Sequence, residues 1–449
     1  MAQERENLAA RPAPTAAFNR ALLAIGLLYL ACQVVFLSYT AYSADDFWLA
    51  FHTYQFKHQL PYRDFAPYKT VLGYYVLLLP MLFTHGILQP LLAIKLFYAL
   101  LNCAFLWITA SYLKKFFAPA AVLLSLSLLV FSQLFLSYSC EIRVDLMAYW
   151  LCLLTLLFIL DNKFIWAGVC LGVSFLVSQK VVCYVLAINC GVLLTDPRGK
   201  WRELLVMNAL FGAIVGSYIA VWSGLASLYD VMKSVFYDAY VVSALDNYDH
   251  SRAMFLKFFI QNNFLLAALT PLACLSLLVS AENPAPARQR YFMLVTAAVV
   301  IFSVLNYHQG FTYNKLILLP VLLLVFAAFF NWLLMVFKQP VPRLVMLSLL
   351  LMGGAGMPMT RFGLLAQNGD YQKSMVKLAD TLLAKNENYL AGTPVFFDKP
   401  LTVRGLRHLT APALEWLYQP TEKARGGLLS SLLLDPVSVK NVLHELEDA

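Results

Sequence analysis

Of 449 residues, 61% are hydrophobic and 13% are charged, about half the charged share of a soluble domain at roughly 25%, so the chain is expected to be an integral membrane protein. The formal net charge of +8 does not imply nucleic acid, because the basic residues stand singly or in pairs beside apolar runs, as orientation signals do, and form no single patch. The eight cysteines lie mostly inside apolar segments without metal-type spacing, which argues against both a disulfide framework and a cysteine metal site.

The chain starts with a polar stretch holding Arg5 and Arg11. An apolar run near 21–42 follows, with no small-residue cleavage site, and is read as a retained first helix long enough to cross a hydrocarbon layer of ~30 Å. Further apolar runs near 88–112, 118–137, 145–160, 164–178, 181–195, 203–223, 260–280, 291–307, 315–336 and 342–358 bring the expected spans to eleven. The stretch 71–84 has only 14 residues, contains Pro80 and precedes His85 and Gly86. If it does not cross, Lys114, Lys115, Lys163, Arg198, Lys200, Arg202, Arg288, Arg290, Lys338 and Arg343 all share a side with Arg5, Arg11 and Arg20, which is the arrangement the positive-inside rule demands. It is therefore read as an interfacial helix. The N-terminus is then cytoplasmic and the C-terminus outside, as in a multi-pass membrane protein; the family resemblance given below implies a bacterial inner membrane and its periplasmic face.

The expected fold is a polytopic α-helical membrane module over 1–358, with interfacial helices in a first outer loop, 43–87, and a second, 224–259. A small extracytoplasmic α/β domain is expected over 359–449, helical around "DYQKSMVKLADTLLAKN" and strand-like at "TPVFFD". No internal repeat is visible, so the inverted-repeat architecture of many transporters gains no support.

Charge gathers in the first outer loop, "DDFWLAFHTYQFKHQLPYRDFAPYKTVLGYY", 45–75. Asp45 and Asp46 follow the first helix, where a carboxylate near the membrane surface serves as a general base or caps the next helix. Lys69 either holds a lipid phosphate or snorkels. Arg63 and Asp64 suit a surface pair. The second loop carries Asp246, Asp249, His250 and Arg252 as candidates for sugar or acceptor contacts, with no catalytic role assigned.

The segment "LPYRDFAPYKTVLGYYVLLLPMLF" resembles the first-loop pattern of the GT-C membrane glycosyltransferases, in the branch of the lipid A aminoarabinose and galacturonic acid transferases and the protein O-mannosyltransferases. Asp45 and Asp46 match its acidic pair, Pro61 to Phe65 its turn, and Lys69 its lysine. Asp46 stands where Glu is usual, Thr70 where Pro is, and Gln59 where Gly is common. "EIRVDLMAYWLCLL" resembles the R-x-D segment, with Arg143 and Asp145 in place. "AGVCLGVSFLVSQK" resembles the Gly-rich helix that ends in lysine, here Lys180, and "HQGFTYNKLILLPVLLLVFA" resembles the late aromatic turn, with Tyr313 and Pro320. The resemblance covers about 1–335 and implies an inverting transfer of sugar from a polyprenyl-phosphate-linked donor to an acceptor hydroxyl on a lipid, glycan or protein. It assigns Asp45 and Asp46 to catalysis, with Asp45 the first choice as base. Lys69, Arg143 and Lys180 go to the donor phosphate, and Arg63, Asp64, Tyr68, Asp145, His308 and Tyr313 to substrate binding. Metal dependence stays open, since two adjacent aspartates suit a divalent cation or repel one another enough to raise one pKa. An O-antigen ligase or polymerase and a flippase or transporter for lipid-linked saccharides are the rival readings; the first leans on a large late loop, the second on ionisable groups at mid-helix.

Overall fold

A computed structural model describes residues 15–39, 44–67, 69–84, 88–196, 199–238, 252–279, 286–306 and 312–337. The expected last span, 342–358, and the C-terminal domain, 359–449, lie outside the described residues. What is described is helical: α1 (Thr15–Tyr39), α2 (Ala44–His58), α3 (Leu72–Met81), α4 (Leu88–Leu113), α5 (Pro119–Val130), α6 (Gln133–Ser139), α7 (Val144–Leu160), α8 (Phe164–Val177), α9 (Val182–Thr195), α10 (Trp201–Leu225), α11 (Leu228–Met232), α12 (Arg252–Asn262), α13 (Phe264–Leu278), α14 (Ala287–Asn306) and α15 (Leu319–Val336). Short 3₁₀ turns at Gln179–Val181 and Thr312–Leu318 precede α9 and α15, and a π-helical stretch, Lys233–Asp238, follows α11.

Five helical segments, at α1, α4, α10, α14 and α15 with its 3₁₀ turn, are each long and apolar enough to cross a membrane alone. The expected span 118–137 is instead the pair α5 and α6, bent by 63° at a short break and counting as a sixth crossing if taken as one. The break has a local cause: the Ser132 hydroxyl accepts from the Phe135 amide at 3.2 Å and so caps a new helix. The expected spans 145–160, 164–178, 181–195 and 260–280 coincide with α7, α8, α9 and α13, apolar helices of 17, 14, 14 and 15 residues. The ten residues of α3 rise about 15 Å, half the hydrocarbon thickness.

Packing within the bundle depends on small residues and on one almost wholly buried helix. A Cβ on Gly168 would meet the Met207 carbonyl at 2.6 Å, and one on Gly172 would meet Ile214 at 2.9 Å, so these glycines let α8 and α10 approach closely. Gly73 does the same for α3, where Val144 at the start of α7 lies 2.8 Å from the absent Cβ. α15 is buried along its apolar length from Leu319 to Asn331. Among the described residues α10 is the least buried of the long helices, and it packs chiefly on α8 and the first outer loop, with Asn208 also bonded to Asn189 of α9.

The two ends of the bundle differ in charge. At one end Asp161, after α7, accepts from Lys115 at 3.3 Å and Lys163 at 2.8 Å, and Arg288 pairs with Asp196 at 2.7 Å. Lys115, Lys163 and Arg288, from three of the basic turns, lie at this end. The other end gathers α2, α3, the turn 140–143 and the two 3₁₀ turns. With the basic end cytoplasmic, Arg63→Cys, in a background cleared of the eight native cysteines, is expected to react with an impermeant maleimide added outside intact cells. Lys163→Cys is expected to react only after permeabilisation, and labelling in the reverse pattern would invert the orientation.

Candidate active site

Asp45 and Asp46 both stand in the first turn of α2. Successive helical residues point about 100° apart, and Asp46 is the one turned inward, with 1% of its side chain exposed. Its Oδ2 lies 2.6 Å from the Lys95 ammonium, seven residues into α4, and its Oδ1 accepts from the Ile142 amide at 2.7 Å. Both oxygens are thus engaged away from solvent, and Asp46 fastens the first loop to α4 and to the turn before α7. The Asp45 side chain lies outside the described residues, as do Tyr68, His308, Asp246, Asp249, His250 and the side chain of Arg252.

After α2 the chain turns sharply at Pro61–Phe65. Tyr62 takes a left-handed conformation, φ 66°, with its amide donating to the Phe65 carbonyl at 2.9 Å. Asp64 Oδ2 accepts from the Leu60 amide at 2.7 Å, and Arg63 pairs with Asp64 at 2.9 Å. Arg63 is 59% exposed, and the pair closes the turn. Phe65, Phe56 and Tyr74 form an aromatic wedge that encloses His52. The Lys69 ammonium lies 5.2 Å from the centre of the Tyr74 ring. Burial, reinforced by the Lys69 charge, pushes the His52 pKa down to about 3, so the imidazole is neutral and Lys69 holds the local positive charge.

Arg143 and Lys180 converge on Tyr313. The Arg143 guanidinium carbon lies 3.8 Å from the ring centre and 5.7 Å from that of Tyr138, and the Lys180 ammonium lies 5.2 Å from Tyr313. A carboxylate restrains each cation: Glu141 pairs with Arg143 at 2.6 Å, and Asp145 with Lys180 at 2.8 Å. Asp145 also accepts from the Ser178 hydroxyl at 2.6 Å, and Asn314 from Lys180 at 3.2 Å. The Tyr98 hydroxyl donates to the Arg143 carbonyl and accepts from the Met147 amide, fixing the start of α7. Lys69 belongs to the same field, since its charge acts on Asp145 as well as on His52. Burial holds the Glu141 carboxyl above the usual range, with Asp46 adding to the shift and Arg143 opposing it.

The structure therefore brings together Asp46, Lys69, Arg143, Asp145, Lys180 and Tyr313 at one end of the bundle and leaves Arg63 and Asp64 at the rim. Sequence reasoning missed Lys95, Glu141, Ser178 and Asn314. A lone lysine inside an apolar span marks a partner or a function, and that signal could have found Lys95; the other three carry no pattern of their own. Among the described residues, no group of three or more His, Cys, Asp or Glu is placed to hold a metal ion. What the cluster offers is paired cations beside an aromatic face, suited to an anion with an apolar tail.

No protein-family model matches the sequence, and no curated protein matches it. Among solved structures, the crystal structure of ArnT from Cupriavidus metallidurans bound to undecaprenyl phosphate superposes with a TM-score of 0.52 at 13% identity, over 71% of this chain and 60% of that one. The present chain thus matches about three fifths of the length of ArnT, and the likeness is one of fold. On that likeness the chain shares the fold of ArnT, and five of its described helical segments are long and apolar enough to cross a membrane.

Proposed function

We propose that this protein transfers a sugar from a polyprenyl-phosphate-linked donor to an acceptor hydroxyl at the extracytoplasmic face, with inversion at the anomeric carbon. The observation that carries this reading is the gathering of Arg143 and Lys180 about Tyr313, with Lys69 in the same field, on three segments far apart in sequence. The shared fold with ArnT, whose structure holds undecaprenyl phosphate, favours a lipid phosphate as the anion.

The chemistry follows from where charge develops. The acceptor oxygen attacks the anomeric carbon while its proton passes to a carboxylate, and the bond from that carbon to the phosphate oxygen breaks with the electron pair leaving on the phosphate. No acid is needed, because phosphate is a good leaving group, but the second negative charge it gains must be met by fixed cations. Lys69, Arg143 and Lys180 fill that role, with Glu141 and Asp145 as their counter-ions while the site is empty. Asp45 is the base in this reading. Asp46, tied to Lys95 and the Ile142 amide, is the anchor that sets where Asp45 stands.

Two sets of variants test this. Lys69→Ala removes a charge-assisted contact of about 1.5–3 kcal/mol, so kcat/KM for a polyprenyl phosphate sugar is expected to fall by about one to two orders of magnitude while KM for the acceptor holds. Unchanged donor kinetics would return Lys69 to a snorkelling role.

The adjacent aspartates should separate cleanly. Asp45→Asn keeps size and much of the capping ability but not basicity, so kcat is expected to drop by about two to four orders of magnitude with little change in Tm. Asp46→Asn leaves the buried Lys95 without its counter-charge and is expected to cost about 3 kcal/mol of stability, seen as a lowered Tm. Full turnover in Asp45→Asn with normal donor binding would remove Asp45 as the base.

A further inference from the structure

The backbone of Lys69, Thr70 and Val71 runs between the Pro61–Phe65 turn and α3, outside any helix, and side chains from three distant places take up its polar groups. The Tyr62 hydroxyl donates to the Lys69 carbonyl at 2.8 Å. The Thr70 amide donates to Gln179 Oε1 at 3.1 Å, and the Thr70 hydroxyl to the Phe175 carbonyl at 3.0 Å. The Val71 amide donates to the Tyr218 hydroxyl at 3.0 Å, which in turn meets the Tyr62 hydroxyl at 2.5 Å. A closed relay thus runs from Val71 through Tyr218 and Tyr62 back to Lys69.

Gln179 is the member that reaches furthest. Its Nε2 donates to the Val235 carbonyl at 3.2 Å, in the π-helical stretch Lys233–Asp238 at the start of the second outer loop. The next residue along the chain, Lys180, is the cation paired with Asp145. One neutral amide therefore touches the residue after Lys69, adjoins Lys180 and binds the second loop. Its acceptor end meets an N–H and its donor end a C=O, so a carboxylate serves only the first and an apolar side chain neither.

We propose that Gln179 is a positioning residue that fixes Lys69 relative to Lys180 around a single lipid-carrier phosphate, and that it ties this spacing to the second outer loop through Val235. The proposal rests on the donor-phosphate reading of Lys69 given above. Two ammonium groups hold one phosphate only if their separation matches it, and errors near 1 Å in such placement are costly. A residue that merely satisfied a stray amide would affect folding alike whether or not Lys69 is present.

The test is a double-mutant cycle on the purified full-length protein in detergent, reading the affinity for undecaprenyl phosphate by calorimetry. Gln179→Leu is expected to weaken binding about tenfold, from the loss of two neutral hydrogen bonds, and by less than twofold in a Lys69→Ala background. Tyr218→Phe, which keeps its ring against Trp222 and loses the hydroxyl, is expected to weaken binding about threefold to tenfold with the same dependence on Lys69; it carries the cycle if Gln179→Leu does not fold. Equal losses in both backgrounds, or unchanged affinity in the single variants, would overturn the proposal. Absence of saturable binding by the unaltered protein would overturn the donor reading itself, and this inference with it.

Discussion

The buried ion pair between Asp46 and Lys95 is the contact on which the arrangement of the outer end depends. It joins the first loop to the middle of a membrane helix, and through Ile142 it also joins the turn that carries Glu141 and Arg143. Burying two charges is costly, and the attraction between them offsets the cost only when the remaining lone pairs are also satisfied. Asp46 meets that condition by spending its second oxygen on a backbone amide. Such a pair adds little net stability compared with apolar residues of the same shape. Its value lies in geometry, because the carboxylate meets Lys95 and the Ile142 amide together and so fixes where the loop sits.

From that seat the charges run outward as ion pairs. Lys95, Asp46, Glu141, Arg143, then across Tyr313 to Lys180 and Asp145, each cation has an anion beside it and the aromatic ring separates the two halves. Neutral His52 extends the same logic, since a second charge beside Lys69 would be repelled within a nearly dry wedge. The carboxylates hold these cations in defined positions, and a group so held needs little further side-chain ordering when a partner binds it.

Much of the helical framework was legible because apolar runs of membrane length have few alternatives in lipid, where backbone groups must be satisfied within the segment. The break between α5 and α6 was not legible, since it comes from one serine capping a new helix inside an otherwise continuous apolar run. At the site, Arg143, Lys180 and Tyr313 could be named in advance because the segments that carry them resemble the motifs of a known family in the same order. Which of two adjacent aspartates faces inward could not, because that depends on the rotation of α2 about its own axis, which the partners on α4 set. Gln179 is harder still: it is uncharged, lies in a motif valued for its neighbour Lys180, and acquires meaning only when the segment before α3 and the π-helical stretch are seen on either side of it.

α10 combines two properties rarely found together. Among the described residues it is the least buried of the long spans, and it carries Tyr218, whose hydroxyl holds the Val71 amide. Its 25 residues measure about 37 Å, enough to span a hydrocarbon layer of ~30 Å with some tilt. The close approach of Gly168 and Gly172 to Met207 and Ile214 seats α10 on α8, so the hydroxyl that grips Val71 is placed by a helix pair and not by α10 alone.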